Sequence, residues 1–433
     1  MDASVMTNLP QIFRVRQKFA RPLVDDVAAE VAAQLARLRL TDAVRPGQTV
    51  AITAGSRGIA NIATILRTTV EYFKSIGARP FLVPAMGRHG GGTTEGQMRV
   101  LASFGLTEGA MGCPIRASME TVVVAQAAEG FPVYFDRHAF EADHVLVVNR
   151  IKPHTDFAGE LESGLMKMLL IGLGKRDGAR IYHRAIHDYN FDQIVRSVGE
   201  RVLSTCHIVG GLAIVENAYD ETARIVAVAP QEFVERELEL LVQAKAWLGR
   251  LPFERVDLLL IDEIGKNISG TGMDTNVVGR KFDTHKAMPH EWPKVRRIYV
   301  RGITPETYGN ATGIGLAEFC HHRVLEQMDV EATRLNCLTS GRISVGMMPF
   351  DYPTDRAALE AALPTIGLAE PGDAKVLWIK NTLDLAEVEC GAAYFEEATR
   401  RDDLEVLSAV REFPFDAEGN LLVPLAAGGP ARS

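Results

Sequence analysis

Three side chains that could do chemistry follow a single apolar run of the sequence. The run from Asp143 to Val148 reads DHVLVV, and His154, Lys167 and His183 come after it. Imidazoles can take and give protons near neutral pH. A lysine in apolar surroundings loses its charge more readily and can become a nucleophile or a covalent anchor, although taken alone Lys167 also fits a lysine whose head reaches solvent. Because ligands of open α/β sheets collect at the carboxyl ends of strands, the run predicts a site at such an edge.

Two earlier loops also follow expected strands and carry residues that could bind a ligand. The loop GSRG, with Ser56 and Arg57, follows an expected strand at Val50–Thr53, where backbone N–H groups and an arginine can hold an anion. The loop GRHGGG surrounds His89 with glycines, which suit a backbone that bends sharply or approaches a ligand closely. A tight turn and a solvent-exposed histidine are the simpler interpretations of these two loops. Because a histidine follows an expected strand twice in the chain, at His89 and at His154, we favour a functional interpretation.

Strand-like and helix-like segments alternate along the chain. This pattern predicts an α/β fold with two Rossmann-like domains and an active site in the cleft between them. Residues 1–251 form the expected N-terminal domain and residues 252–433 the expected C-terminal domain, because Pro252 follows a helical segment rich in Glu and Leu. The second domain starts with the strand-like run VDLLLI and a polar, glycine-rich loop. That loop supplies three candidate substrate contacts: Lys266, Asn276 and Arg280.

Four local features are also expected from the sequence. Residues 1–20 are expected to form an arm or an edge strand, and Gly210–Val215 is expected to form a hairpin with Ile225–Val228. A helix is expected near Gly313 to Gln327. Thr94 and Gln97 have the spacing of a capping box for the helix that follows the His89 loop.

The composition excludes several classes of protein. A net charge of -8 argues against a dedicated nucleic-acid binder, and no apolar run reaches the length of a membrane span. The five cysteines are widely spaced without a CxxC pair, which argues against a disulfide framework or a cysteine zinc site. The start of the sequence lacks a secretory signal pattern, so we expect a cytoplasmic protein. The expected partner is a small molecule, and the sequence leaves the oligomeric state open, a homo-oligomer included.

Two segments and a later histidine resemble one known family. GRHGGGTTE and IKPHTDFAGELESGLMK, followed by a histidine sixteen residues after the lysine, resemble the nickel-pincer lactate racemase family. That family has a GxHRxxT-type loop, a PH-x-FAG-x-SGG-x-K segment and a downstream histidine at the same spacing. The resemblance covers roughly Val50 to His183, and three matched elements in the same order make it fairly specific.

The resemblance implies how a cofactor would be held. Lys167 falls where the family's lysine binds a pyridinium-3-thioamide-5-thiocarboxylate mononucleotide covalently. His183 falls where the family's histidine ligates the nickel of this cofactor, the nickel-pincer nucleotide. Ser56 and Gly87, from the two earlier loops, are further candidates for cofactor binding.

The resemblance also implies a reaction. His89 and His154 fall where two histidines act as alternating general acid and base, one on each face of the substrate. Arg57 falls where an arginine contacts the substrate. The implied activity is that of an isomerase, a racemase or epimerase that inverts C2 of a 2-hydroxy acid by reversible hydride transfer to the cofactor.

The sequence departs from the family pattern at several positions. Ala54 stands where the family's DxTRP loop has an acid, no proline follows Arg57, and ESGLMK replaces SGGRK. These departures indicate a relative that acts on a different 2-hydroxy acid. The polar and small residues from Ser269 to Arg280 suggest a larger or more polar acid, such as a sugar acid.

Two other functions fit the same residues. One is a divalent-metal lyase or hydrolase in which His154, His183 and His187 bind a metal directly, although they lack HxH or HExxH spacing. The other is a non-catalytic protein that binds a hydroxy acid. Loss of isomerisation on substitution of His89 and His154 separates the racemase from both.

Overall fold

The computed structural model of this chain describes residues 8–157 and 159–422. Residues 20–248 form one compact unit, and residues 8–19 together with 249–422 form a second. The predicted α/β class is confirmed, because each unit combines helices with a sheet that contains parallel strands. The expected domain bounds, 1–251 and 252–433, and a site in the cleft between the domains stay predictions. No helix in the described ranges is long and apolar enough to cross a membrane.

The first strand of the chain belongs to the sheet of the second unit. This strand, β1 (Ile12–Gln17), pairs antiparallel with residues 387–391 and 404–406. Its alternate residues Phe13 and Val15 are fully buried. The sequence predicted an arm or an edge strand for the first twenty residues. In the structure β1 has a partner on both sides, and partners this distant in the chain leave no local signal.

The unit of residues 20–248 is built on a five-stranded sheet and a separate two-stranded hairpin. Its strands are β2 (Thr49–Ala54), β3 (Arg79–Pro84), β4 (Thr121–Gln126), β5 (Pro132–Asp136), β6 (His144–Arg150), β7 (Ile208–Glu216) and β8 (Thr222–Val228). Its helices are α1 (Val27–Arg37), α2 (Ile62–Ser75), α3 (Thr94–Ser103), α4 (Glu108–Met111), α5 (Arg137–Phe140), α6 (Leu165–Lys167), α7 (Lys175–Ala185), α8 (Phe191–Thr205) and α9 (Phe233–Trp247). A π-helical segment, Met168–Gly172, follows α6 directly.

The strand order of the five-stranded sheet is β3-β2-β6-β7-β8. The first four strands run parallel, and β8 closes an antiparallel hairpin with β7, as the sequence predicted. In β6, Val145 and Val147 face one hydrophobic core while Leu146 and Val148 face another. Burial on both faces explains the continuous apolar run, which is typical of parallel strands. The carboxyl ends of β3, β2 and β6 therefore lie side by side.

The second unit has an eight-stranded sheet in the order β12-β11-β10-β9-β13-β14-β1-β15. Strands β9 to β13 pair in parallel, and β14, β1 and β15 pair antiparallel. The later strands are β9 (Arg255–Ile261), β10 (Lys294–Val300), β11 (Phe319–His321), β12 (Phe350–Tyr352), β13 (Val376–Ile379), β14 (Glu387–Gly391) and β15 (Leu404–Val406). The later helices are α10 (Thr275–Val278), α11 (His322–Gln327), α12 (Val330–Ser340), α13 (Asp355–Ala362) and α14 (Phe395–Arg400).

One predicted helix of the second unit is wrong. The sequence favoured a helix near Gly313 to Gln327, but the structure has the short strand β11 there, followed by α11. Residues 319–321 are all buried, and β11 lies between β10 and β12 in the sheet. Pairing on both sides outweighs the weak helical pattern of three residues.

Candidate functional site

Loops from neighbouring strands meet at the carboxyl edge of the five-stranded sheet. The loop after β2 contacts the loop after β3 through a short hydrogen bond between the Ser56 hydroxyl and His89 Nδ1. The loop after β3 contacts the π-helical segment, because the Gly87 N–H donates to the Gly172 carbonyl at 3.2 Å. The structure thus brings Ser56, Gly87 and His89 together with the segment that follows Lys167.

The loop that carries His89 depends on glycine. Gly87, Gly90, Gly91 and Gly92 have φ angles of +58°, +67°, +70° and +63°, a region that side chains disfavour. A Cβ at Gly87 would also lie 3.1 Å from the Ile171 carbonyl oxygen. The sharp bend predicted from GRHGGG is therefore present.

Gln97 supports this loop and was missed as a site residue. The sequence predicted a capping box made by Thr94 and Gln97, but Thr93 caps α3 by accepting the Gly96 N–H at 3.1 Å. The fully buried amide of Gln97 instead donates to the Gly87 carbonyl at 3.0 Å. The signal in the sequence was a long polar side chain placed one turn into a helix that starts beside the histidine loop.

His154 lies in a loop that is closed on itself. Lys152 and Ser163 pair through both backbone N–H groups, at 2.9 and 3.2 Å. Inside the loop, the His154 N–H donates to Glu162 Oε2 at 2.6 Å. Glu162 is almost fully buried, and its Oε1 pairs with the Lys245 ammonium at 2.6 Å. The sequence did not single out Glu162, although it lies within the segment that resembles the racemase family.

The hydrogen bonds of the His154 ring define its tautomer. Nδ1 accepts the backbone N–H groups of Asp156 and Phe157, at 2.9 and 3.0 Å. A nitrogen that accepts two hydrogen bonds carries no proton, so the neutral ring bears its proton on Nε2. The ring also stacks on Phe157, with centroids 4.4 Å apart. His154 is held in place as a potential proton donor.

Lys167 has the electrostatics of a nucleophile. Its side chain is partly buried, and its Nζ lies 3.2 Å from the Ser163 hydroxyl. Burial, assisted by the charge of Arg57, lowers the pKa of Lys167 to about 7, while Asp156 and nearby glutamates oppose this shift. A large fraction of the amine is therefore uncharged at neutral pH. The π-helical segment that starts at the next residue is a feature often found at functional sites.

His183 has the properties of a metal ligand. The pKa of its imidazole is lowered to about 4, chiefly because the ring is buried. The charges of Arg88 and Lys167 lower this pKa further. Its Nδ1 is buried and has no hydrogen-bond partner among residues 8–157 and 159–422. The ring of Phe157 lies 6.3 Å from that of His183, centroid to centroid, so the same aromatic ring neighbours both predicted histidines. A neutral imidazole with an unshared nitrogen is suited to ligation.

The remaining predicted substrate contacts are divided between the two units. Arg57 is exposed on the loop after β2. In the second unit, Lys266 donates to the Gly270 carbonyl and to Asn336 Oδ1, and Asn276 donates to Asp274 Oδ1 at 2.9 Å. Substrate contacts by Arg57, Lys266 and Asn276 stay predictions.

Arg280 has a different environment from the one expected of a substrate contact. Its side chain is fully buried. Its guanidinium donates to the Leu316 carbonyl at 2.6 Å and pairs with Glu318 at 2.9 Å, and it also donates to main-chain carbonyls of three other residues. This geometry favours a structural role for Arg280.

Glu237 is another residue that sequence reasoning missed. It lies on α9 with 2% of its surface exposed, and its Oε2 accepts the Met166 N–H at 2.9 Å. The helix buries Phe233, Glu237 and Leu240 on one side. An acidic residue at a core position of an amphipathic helix was the signal that could have identified it.

Metal ligation by side chains alone has little support in the geometry. In residues 8–157 and 159–422 no group of three or more His, Cys, Asp or Glu side chains is arranged to hold a metal ion. The alternative with His154, His183 and His187 as direct ligands requires such a group.

Comparison with solved structures identifies the fold. No family model matches the sequence, and no curated protein matches it significantly. The chain is similar to the lactate racemase apoprotein from Thermoanaerobacterium thermosaccharolyticum, with 12% identity, a TM-score of 0.53, and coverage of 86% of this chain and 94% of that one. It is also similar to a Thermotoga maritima protein solved by a structural genomics consortium, with 13% identity, a TM-score of 0.52, and coverage of 85% and 99%. At these identities the likeness establishes a lactate-racemase-like fold.

Proposed function

We propose that this protein is a racemase or epimerase that inverts C2 of a 2-hydroxy acid with a nickel-pincer nucleotide as cofactor. The observation that carries the proposal is one sheet edge with a lysine of pKa about 7 and a neutral histidine whose buried Nδ1 lacks a partner among the described residues. The fold that the chain shares with a lactate racemase apoprotein supports it.

The residues at this edge fit the cofactor. The free amine of Lys167 is suited to a covalent bond with a carboxyl-derived group, and the neutral imidazole of His183 is suited to nickel. Ser56 and Gly87 lie in the adjoining loops and would line the same space. When bound, the cofactor supplies the hydride acceptor that no side chain provides.

The two remaining histidines would move the hydroxyl proton of the substrate. Neutral His154 offers Nε2–H as a donor, because its Nδ1 is occupied by two backbone N–H groups. His89 pairs through Nδ1 with the Ser56 hydroxyl, which can donate or accept, so both tautomers of His89 keep that hydrogen bond. His89 can therefore act as base as well as acid. Arg57 would orient the substrate carboxylate.

The decisive experiment is intact-protein mass spectrometry with metal analysis. The full chain is co-expressed with the enzymes that make the cofactor, alongside Lys167→Ala and His183→Ala. We expect an added mass that maps to Lys167, stoichiometric nickel, and inversion of 2-hydroxy acids by the loaded protein. Lys167→Ala should lose the adduct, and His183→Ala should lose nickel.

The matched control is Lys152→Ala, which changes another partly buried lysine of the same segment. It should keep both adduct and nickel. Absence of adduct and nickel from the unsubstituted chain, in cells where a lactate racemase acquires both, would refute the proposal. A direct-metal enzyme or a hydroxy-acid-binding protein would then be the better description.

A further inference from the structure

Glu237 is a buried carboxylate that the proposed reaction does not use. On α9 it occupies a core position, while Glu235 and Glu239 of the same helix are exposed. Taking a carboxylate out of water costs free energy unless partners compensate, so an acid in this position calls for a specific reason.

The contacts of Glu237 all lead to the turn that carries Lys167. Its Oε2 accepts the Met166 N–H at 2.9 Å, and the Leu165 N–H also donates to the carboxylate. These are the first residues of α6, whose N–H groups have no acceptor within the helix. A Cβ at position 164 would overlap the carboxylate, so Gly164 permits this close approach.

Capping alone does not account for the second carboxylate oxygen. Oε1 of Glu237 is buried and has no hydrogen-bond partner in the part of the chain that the structure describes. Burial raises the pKa of Glu237 to about 7, and the carboxylate interacts electrostatically with Lys167. The titratable groups that act on the Lys167 amine include Arg57, the acids Asp156, Glu162 and Glu237, and the neutral imidazole of His183. Of the three acids, Glu237 is the one that also holds the backbone next to the lysine.

We infer that Glu237 is a positioning residue for Lys167: it anchors the turn on which the lysine stands and sets how readily the amine gives up its proton. The inference rests on the proposed function for its purpose, because a lysine that must attach a cofactor needs a fixed direction and an uncharged amine. A chain with a neutral residue at position 237 would hold this turn less firmly, and its Lys167 amine would titrate at a different pH.

The test measures the reactivity of Lys167 without the cofactor. The full chain, expressed without the cofactor-making enzymes, is acetylated with trace acetic anhydride over a range of pH, and the label on Lys167 is quantified by peptide mass spectrometry. We expect a midpoint near pH 7 in the unsubstituted chain. In Glu237→Gln the midpoint should shift to lower pH, because a carboxylate that attracts the charged amine is lost. Hydrogen exchange of the Leu165 and Met166 amides should become faster.

Two further variants make the test specific. Glu239→Gln removes an exposed acid from the same helix and should leave the midpoint unchanged. Gly164→Ala keeps the charge but displaces the carboxylate, so it should lower the midpoint to a smaller extent and remains informative if Glu237→Gln does not fold. An unchanged midpoint in both Glu237→Gln and Gly164→Ala would overturn the inference. The Glu237→Gln chain could show a shifted acetylation midpoint while the unsubstituted chain never acquires the cofactor adduct. That result would support the positioning role of Glu237 and refute the proposed function.

Discussion

Charged side chains are buried at the strand ends of both units, but their states differ. In residues 20–248, Lys167 and His183 have pKa values lowered to about 7 and about 4, chiefly by burial. In the second unit, the guanidinium of Arg301 keeps its charge. It pairs with Asp355 at 2.9 Å and with Asp262, and it donates to the Leu421 carbonyl at 2.6 Å. The sheet edge of residues 20–248 thus favours neutral side chains that can bind a ligand, and the sheet edge of the second unit favours ion pairs.

The difference between neutral and ion-paired side chains distinguishes groups suited to a reaction from groups that stabilise the fold. A buried charge with partners for its donors stabilises one arrangement and has little capacity left for a ligand. A buried base that is driven towards neutrality keeps a lone pair for a substrate, a metal or a covalent bond. Lys175, eight residues after Lys167, follows the first rule, because it is fully buried and pairs with Asp136 at 2.9 Å.

The largest expected effect concerns the two histidines of the first unit. His89→Ala and His154→Ala should each lower the rate of C2 inversion by about 10²- to 10⁴-fold, the usual contribution of a positioned acid or base. The unfolding free energy should change little, since neither ring is buried in the core. Rates are measured on cofactor-loaded protein by loss of optical purity. Normal rates in either variant would contradict the two-base mechanism.

The next effect tests the structural role of the second edge. Arg301→Met removes one partner of a buried ion cluster and leaves Asp355 without its main counter-charge. Breaking such a pair costs about 3–5 kcal/mol, to be measured by urea unfolding. The exposed pair of Arg334 with Glu331 is the control, and Arg334→Met should cost less than about 1 kcal/mol. Equal costs for both variants would remove the contrast between paired and available charges.

The last effect is a pH dependence that belongs to Lys167. Its pKa is about 7 in the folded chain and near 10.5 when unfolded, so the unfolded state binds more protons between these values. The contribution of Lys167 to stability is therefore fully present above pH 10.5 and is lost as the pH falls towards 7. The difference in unfolding free energy between the unsubstituted chain and Lys167→Met should rise from pH 7 to pH 10. A flat difference would mean that the amine stays charged in the folded protein.

Features of the fold that depend on neighbouring residues could be predicted from the amino-acid sequence. The continuous apolar run of β6 predicted a buried strand, and the structure buries it on both faces. GRHGGG predicted a bend that the positive φ angles of its glycines provide. These features depend on neighbours a few residues apart. The spacing of His154, Lys167 and His183 could likewise be taken from the sequence, because the three residues lie in one stretch of the chain.

Which ionisable side chains remain able to bind a ligand or react depends on the tertiary packing around them. Arg280 stood out in a polar, glycine-rich loop and Lys167 in an apolar stretch. In the structure the guanidinium of Arg280 is engaged by Glu318 and by main-chain carbonyls, whereas the amine of Lys167 is driven towards neutrality. Glu237 and the partners of β1 are contributed by parts of the chain far away in sequence. Desolvation and pairing depend on what packs around a side chain, so they emerge only when distant segments are brought together.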